Sequence, residues 1–128
     1  MEELCIDFSQ IEVWGQIDYV VHPKRTIHCF VGQLFVEDWQ AIQPNSEVER
    51  LFVVPLRYLQ EHQPVYHTLD MAIQPDSSFP FERIDGGTNY RFSHYLRHIP
   101  FYETLDENLW GLTAQFTHRF TEMMEEIL

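Results

Sequence analysis

Two adjacent carboxylates open the chain. Glu2 and Glu3 precede Leu4-Cys5-Ile6 in what reads as the last turn of a helix, and a strand follows. Carboxylate oxygens are hard donors of the kind that hold Mg²⁺ or Mn²⁺. Taken alone, such a pair is more often a solvated helix end. Glu47, in the loop Asn45-Ser46-Glu47-Val48, reads on its own as a surface residue. Arg83, Arg91 and Arg97 are cations that could meet a phosphate, against a plain role in balancing an acidic surface. His94 and His98 stand four apart, but in a strand-to-loop region where a surface or half-buried role outweighs a metal pair. His22 and His28 flank a turn and read as solvated. Cys29 reads as a small core residue, Gly86-Gly87 as a hairpin turn and not a phosphate cradle, and Trp110 and Phe116 as core.

The elements that must position these residues are legible from periodicity. Ile11, Val13, Gly15, Ile17, Tyr19 and Val21 alternate with polar neighbours, which predicts a strand with Trp14 and Val20 interrupting its polar face. His22-Pro23-Lys24-Arg25 is a turn. Thr26 to Val36 is a second strand, antiparallel to the first. Leu51 to Val54 reads as a short apolar strand stopped by Pro55. Leu56 to Gln63 reads as a short helix with Leu56 and Leu59 inward. Tyr66 to Ile73 is a further strand. Asp85-Gly86-Gly87 between residues 79–84 and 88–95 is a hairpin signal. Leu109, Leu112, Phe116, Phe120, Met123 and Ile127 recur at spacings of three and four and make one apolar stripe on a helix. Thr104 and Glu107 read as its capping box, and Gly111 inside it predicts a close backbone approach.

Composition narrows the function classes. A chain of 128 residues, 45% hydrophobic and 15% aromatic, has the means for one domain over residues 1–128 and is not a disordered tract. Its charge of −12 disfavours binding to a phosphate backbone, so nucleic acid is not an expected partner. No apolar run reaches the ~18 residues that span a bilayer, so no membrane role is expected. With no secretory signal, Cys5 and Cys29 read as reduced thiols of a cytoplasmic protein.

Several segments, in order, resemble the Nudix hydrolase family. Glu2-Glu3-Leu4-Cys5-Ile6 is similar to the end of the family motif, Glu-Glu-x-Gly-U with U aliphatic, except that Cys5 stands where the family has glycine. Phe30-Val31-Gly32-Gln33-Leu34, then Asn45-Ser46-Glu47-Val48 with Phe52-Val53-Val54-Pro55-Leu56, then Leu109-Trp110-Gly111-Leu112-Thr113-Ala114, look like the coenzyme A pyrophosphatase-like branch. The similarity runs from residue 2 to about residue 120.

The resemblance implies an α/β (α+β) fold, with a Nudix-type mixed sheet and a long C-terminal helix. It implies attack of water on the diphosphate of a small nucleoside diphosphate derivative, coenzyme A or a relative, with Mg²⁺ or Mn²⁺ as cofactor. Glu2, Glu3 and Glu47 would be metal ligands, with Glu47 completing the set or orienting water. Arg91 and Arg97 would lie in the segment used near substrate. The earlier part of the family motif and the first strands of its sheet would fall before Met1. On that expectation the chain homo-oligomerises or is completed by another chain. The alternative is a catalytically inactive remnant that only binds a partner or oligomerises.

Overall fold

A computed structural model describes residues 2–72, 74, 76–92 and 95–127. The fold is α+β, with two small antiparallel sheets and a C-terminal helix. The first sheet is the hairpin expected from the period-two pattern. Strand β1 (Ile11–Val21) pairs with β2 (Thr26–Leu34), from Ile11 opposite Leu34 to Val21 opposite Thr26. The His22–Arg25 turn closes it through reciprocal backbone hydrogen bonds of 2.8 and 3.3 Å. The register shifts between Val13 and Gly15 and again between Gln16 and Asp18. These bulges leave Trp14 and Ile17 outside the ladder and re-aim them, which is why Trp14 breaks the alternation.

The second sheet departs from expectation. The described residues of 79–84 and 88–95 form no hairpin across Asp85-Gly86-Gly87; instead strand β3 (Val65–Met71) pairs with β4 (Tyr95–Phe101), beyond a long connection. Two single-turn 3₁₀ helices, Phe81–Arg83 and Gly87–Asn89, occupy that connection, and Gly86 joins them at φ +88°. The glycine signal for positive φ was sound; the element it serves is a loop corner. Ile73, at the end of the expected third strand, lies outside the described residues, as does His94 of the His94/His98 pair. All the described pairings are antiparallel, so the single mixed sheet expected from the resemblance is replaced by two separate hairpins. Leu51 to Val54 forms no strand, because no neighbour offers it a ladder, and Val53 is left exposed.

Helix α1 (Leu56–Glu61) forms where expected, although it is Tyr58 and Leu59 that turn toward the core while Leu56 is exposed. Helix α2 spans Gly111–Ile127. Gly111 takes φ +63° at its first turn, and an added Cβ there would meet open space. The glycine is therefore explained by backbone conformation and not by a close approach. The expected capping box is dismantled. Glu107 forms a two-pronged pair with Arg50, and Thr104 bonds the Tyr58 hydroxyl.

The core is small. Tyr102, Leu109 and Ala114 are buried, with Tyr58, Leu59 and Leu105 packed around them. The Tyr102 N–H donates to the Leu109 carbonyl at 3.0 Å and closes the loop ahead of α2. Trp110, expected in the core, is 53% exposed and stacks on Phe101 instead. A compact chain of 15.4 kDa would expose about 7,200 Å². This one exposes 10585 Å².

Candidate functional site

Glu2 to Cys5 form a turn in place of the helix end read from sequence. Cys5 sits at φ +53°, the only left-handed non-glycine position among the described residues. Its Sγ lies 3.6 Å from the Glu2 carbonyl, which accepts a weak hydrogen bond from the thiol. A side chain in that region costs about 1–2 kcal/mol, because Cβ crowds the following carbonyl. The backbone thus adopts, with a cysteine, the conformation that glycine would take freely.

The loop bearing Glu47 comes to this turn. The Asn45 N–H donates to the Glu3 carbonyl at 2.8 Å, and Asn45 Nδ2 donates to the Glu2 carbonyl at 3.5 Å. The same side chain's Oδ1 accepts from the Glu47 N–H at 3.0 Å, and the Val48 N–H donates to the Asn45 carbonyl at 3.2 Å. Asn45 is therefore a clip: one face holds the turn of Glu2 and Glu3, the other fixes the backbone that carries Glu47. Residues separated by more than forty positions are brought to one place, with all three carboxylates exposed.

Beside the turn lies an open cleft of about 650 Å³, lined by Cys5, Ile6, Phe35, Glu37, Asp38 and Ile42 among others. That is within the usual range of ligand clefts. Glu37 and Asp38 were not singled out from sequence. Their signal is that they stand together just past the apolar run that ends at Val36, two residues beyond β2. Asp38 is partly committed, since its Oδ1 accepts from the Gln40 N–H at 3.0 Å and caps a single turn at Trp39–Ala41.

Arg91 lies in the long connection and Arg97 on β4 opposite Leu69, both exposed. No hydrogen bond or ion pair among the described residues ties either of them to the Asn45 junction. Nor do three carboxylate, imidazole or thiolate groups gather into a metal cage among those residues. The donor chemistry of Glu2, Glu3 and Glu47 still suits a hard cation. Mg²⁺ commonly keeps several waters and takes one or two carboxylates together with substrate phosphates, not an all-protein cage.

The two cysteines are free. Cys5 is exposed; Cys29 is half-buried on β2, where burial first and the Asp18 charge second push its thiol pKa up. No helix among the described residues is long and apolar enough to cross a membrane. Comparison with family models, with curated proteins and with solved structures finds no match.

Proposed function

We propose that the chain is a Nudix-type hydrolase acting on a nucleoside diphosphate derivative, coenzyme A or a close relative. The observation that carries the reading is the Asn45 clip, which holds the Glu2-Glu3 turn and the Glu47 loop together. The left-handed backbone at Cys5, where the similar family has glycine, supports it. In this reading Glu2, Glu3 and Glu47 would be the residues that hold Mg²⁺ or Mn²⁺. Such an ion, when bound, neutralises phosphate charge and lowers the pKa of a water. Water adds to one phosphorus, the bridging oxygen leaves with the other, and two phosphate monoesters result. Glu47 takes the proton of that water or orients it, and Arg91 and Arg97 are the cations that the resemblance places near substrate. A cytoplasmic location belongs to the same reading, in keeping with two unpaired thiols.

The test is hydrolysis of coenzyme A by the purified chain with Mg²⁺ or Mn²⁺, followed by phosphorus NMR. Release of 3′,5′-ADP and phosphopantetheine, lost in Glu3→Gln and Glu47→Gln with unchanged circular dichroism, is the expected result. No turnover by a folded chain favours the second reading, a catalytically inactive domain that only binds a partner or oligomerises. The small core and the two unjoined hairpins are what speak for that reading.

A further inference from the structure

An apolar trough of about 440 Å³ lies between α2 and the face of the first hairpin, among Trp14, Ile17, Val31 and Phe120. The outer face of the second hairpin carries charge as well as rings. In the β3–β4 register Val65 stands opposite Phe101, His67 opposite Ile99, and Leu69 opposite Arg97, so these pairs share one face. Pro100 belongs to the other face and is buried, as is Tyr102 two residues on, which packs with Ala114 of α2. The helix thus covers one face and leaves this one open, with Arg97 and Phe101 exposed. A bridge between Phe101 and Trp110 makes the sheet three backbone segments wide at that end.

We propose that this face binds a nucleoside 5′-phosphate, with the base stacked on Trp110 and the phosphate held by Arg97. The site needs neither a metal nor the carboxylates at the Asn45 junction, so it stands apart from hydrolysis.

Two separate observations point to that occupant. The first is the stack. The Phe101 and Trp110 rings lie nearly parallel, 14° apart with centroids at 5.5 Å, and His67 meets Phe101 edge-on at 5.2 Å. Trp110 is exposed and meets no other ring among the described residues, so the stack is open at its indole end. A planar base continues such a stack by the same offset overlap. Aromatic side chains standing on an open sheet face are an established platform for bases.

The second is the charge of this one face. Its residues within β3 and β4 include no Asp or Glu, in a chain with 20 acidic residues against 8 basic; Asp70 lies on the other face. Just beyond Phe101, Glu103 is bonded to His67. Arg97 has no ion-pair partner among the described residues. A guanidinium without a carboxylate suits a phosphate and repels the basic side chains that would otherwise sit over an indole. Arg97 and Phe101 are four residues apart along β4, about 13 Å. The reach of the arginine side chain brings that down to the span of a nucleotide from ring to phosphate. A single nucleotide brings few charges to a chain of −12, whereas each further phosphate of a strand would meet the same repulsion.

The test is a titration of the whole, isotope-labelled chain with AMP in the presence of EDTA, followed by NMR. The Trp110 indole N–H is identified by its loss in Trp110→Phe. Binding at sub-millimolar AMP that moves this N–H and the backbone of residues 97–101 is the expected result. Adenosine, which lacks the phosphate, and ribose 5-phosphate, which lacks the base, should each bind about tenfold more weakly or worse. Arg97→Gln should bring AMP down to the affinity of adenosine and leave adenosine unchanged. Trp110→Leu should weaken both about tenfold, and Trp110→Phe should restore part of the loss, with circular dichroism unchanged throughout. No binding at millimolar AMP, shifts that spare the Trp110 indole, or undiminished AMP binding in Arg97→Gln overturns the proposal. So does a single-stranded oligonucleotide that binds these residues more tightly than AMP, since the occupant is then a nucleic acid.

Discussion

Replacing Cys5 with glycine should stabilise the chain. Cys5 is held at φ +53°, and its exposed side chain makes one weak contact, the 3.6 Å approach of Sγ to the Glu2 carbonyl. The left-handed region costs a residue with Cβ about 1–2 kcal/mol. Glycine removes that cost but gives the unfolded chain more freedom, worth about 0.5–1 kcal/mol in the opposite direction. The difference is a net gain of about 0.5–1 kcal/mol. For a chain of 128 residues that is roughly 2–4 °C in Tm, between the values for smaller and larger domains. The assay is thermal and urea unfolding followed by circular dichroism, on Cys5→Gly, Cys5→Ala and Cys5→Val. The expected order is Gly most stable, Ala close to the parent, and Val least stable, because a β-branched residue tolerates positive φ worst. If Cys5→Gly is no more stable than the parent, or Cys5→Val matches it, the turn is not held left-handed. The conformational support for the resemblance then disappears as well.

Further outcomes follow from other contacts. Among the described residues the buried Tyr102 hydroxyl has no hydrogen-bond partner, so Tyr102→Phe should raise stability by about 1 kcal/mol in urea unfolding. Burial first, then the neighbouring Tyr66 and Tyr58, push the Tyr102 pKa up to about 12. Its folded value thus exceeds the ordinary 10. That contribution to stability is whole below pH 10 and is lost as pH rises through about 12, and the loss should vanish in Tyr102→Phe when unfolding is followed between pH 9 and 12. The Arg50–Glu107 pair joins the segment after Glu47 to the loop before α2 in a partly exposed setting. Glu107→Gln should cost at most about 1 kcal/mol in urea unfolding, and a larger loss would mean that the pair organises the loop. Iodoacetamide at pH 8 should label exposed Cys5 well before Cys29, whose thiol is kept protonated by burial and Asp18, with peptide mass spectrometry as the readout.

What could be read from sequence was what is local. Period two over Ile11–Val21 and the apolar recurrence over Leu109–Ile127 specify their elements through backbone geometry, and both elements form. The positive φ at Gly86 is likewise local, but whether it closes a hairpin depends on which strands find each other. Val65–Met71 found Tyr95–Phe101. Thr104 and Glu107 had the spacing of a cap, yet Tyr58 and Arg50, distant in sequence, offered better partners. The stripe on α2 was legible as a stripe; that it lines a trough depends on what stands opposite. At the candidate site, no spacing rule would have joined Glu2 and Glu3 to Glu47. The resemblance proposed it, and the Asn45 hydrogen bonds are the physical link that sequence pattern could not supply.

The unequal closures of the two hairpins set an order of events. β1 and β2 meet across the short His22–Arg25 turn, whereas β3 and β4 meet only across the long connection between Met71 and Tyr95. Closing the longer loop costs roughly 1.5 kcal/mol more in chain entropy. The first hairpin can therefore form in microseconds from its own sequence. The second must wait for the Tyr102–Leu109 backbone bond and the seat of α2 on β4. Under mild denaturant the chain should come apart in the reverse order, β3–β4 releasing first. The first hairpin would then persist as the longest-lived piece of the molecule.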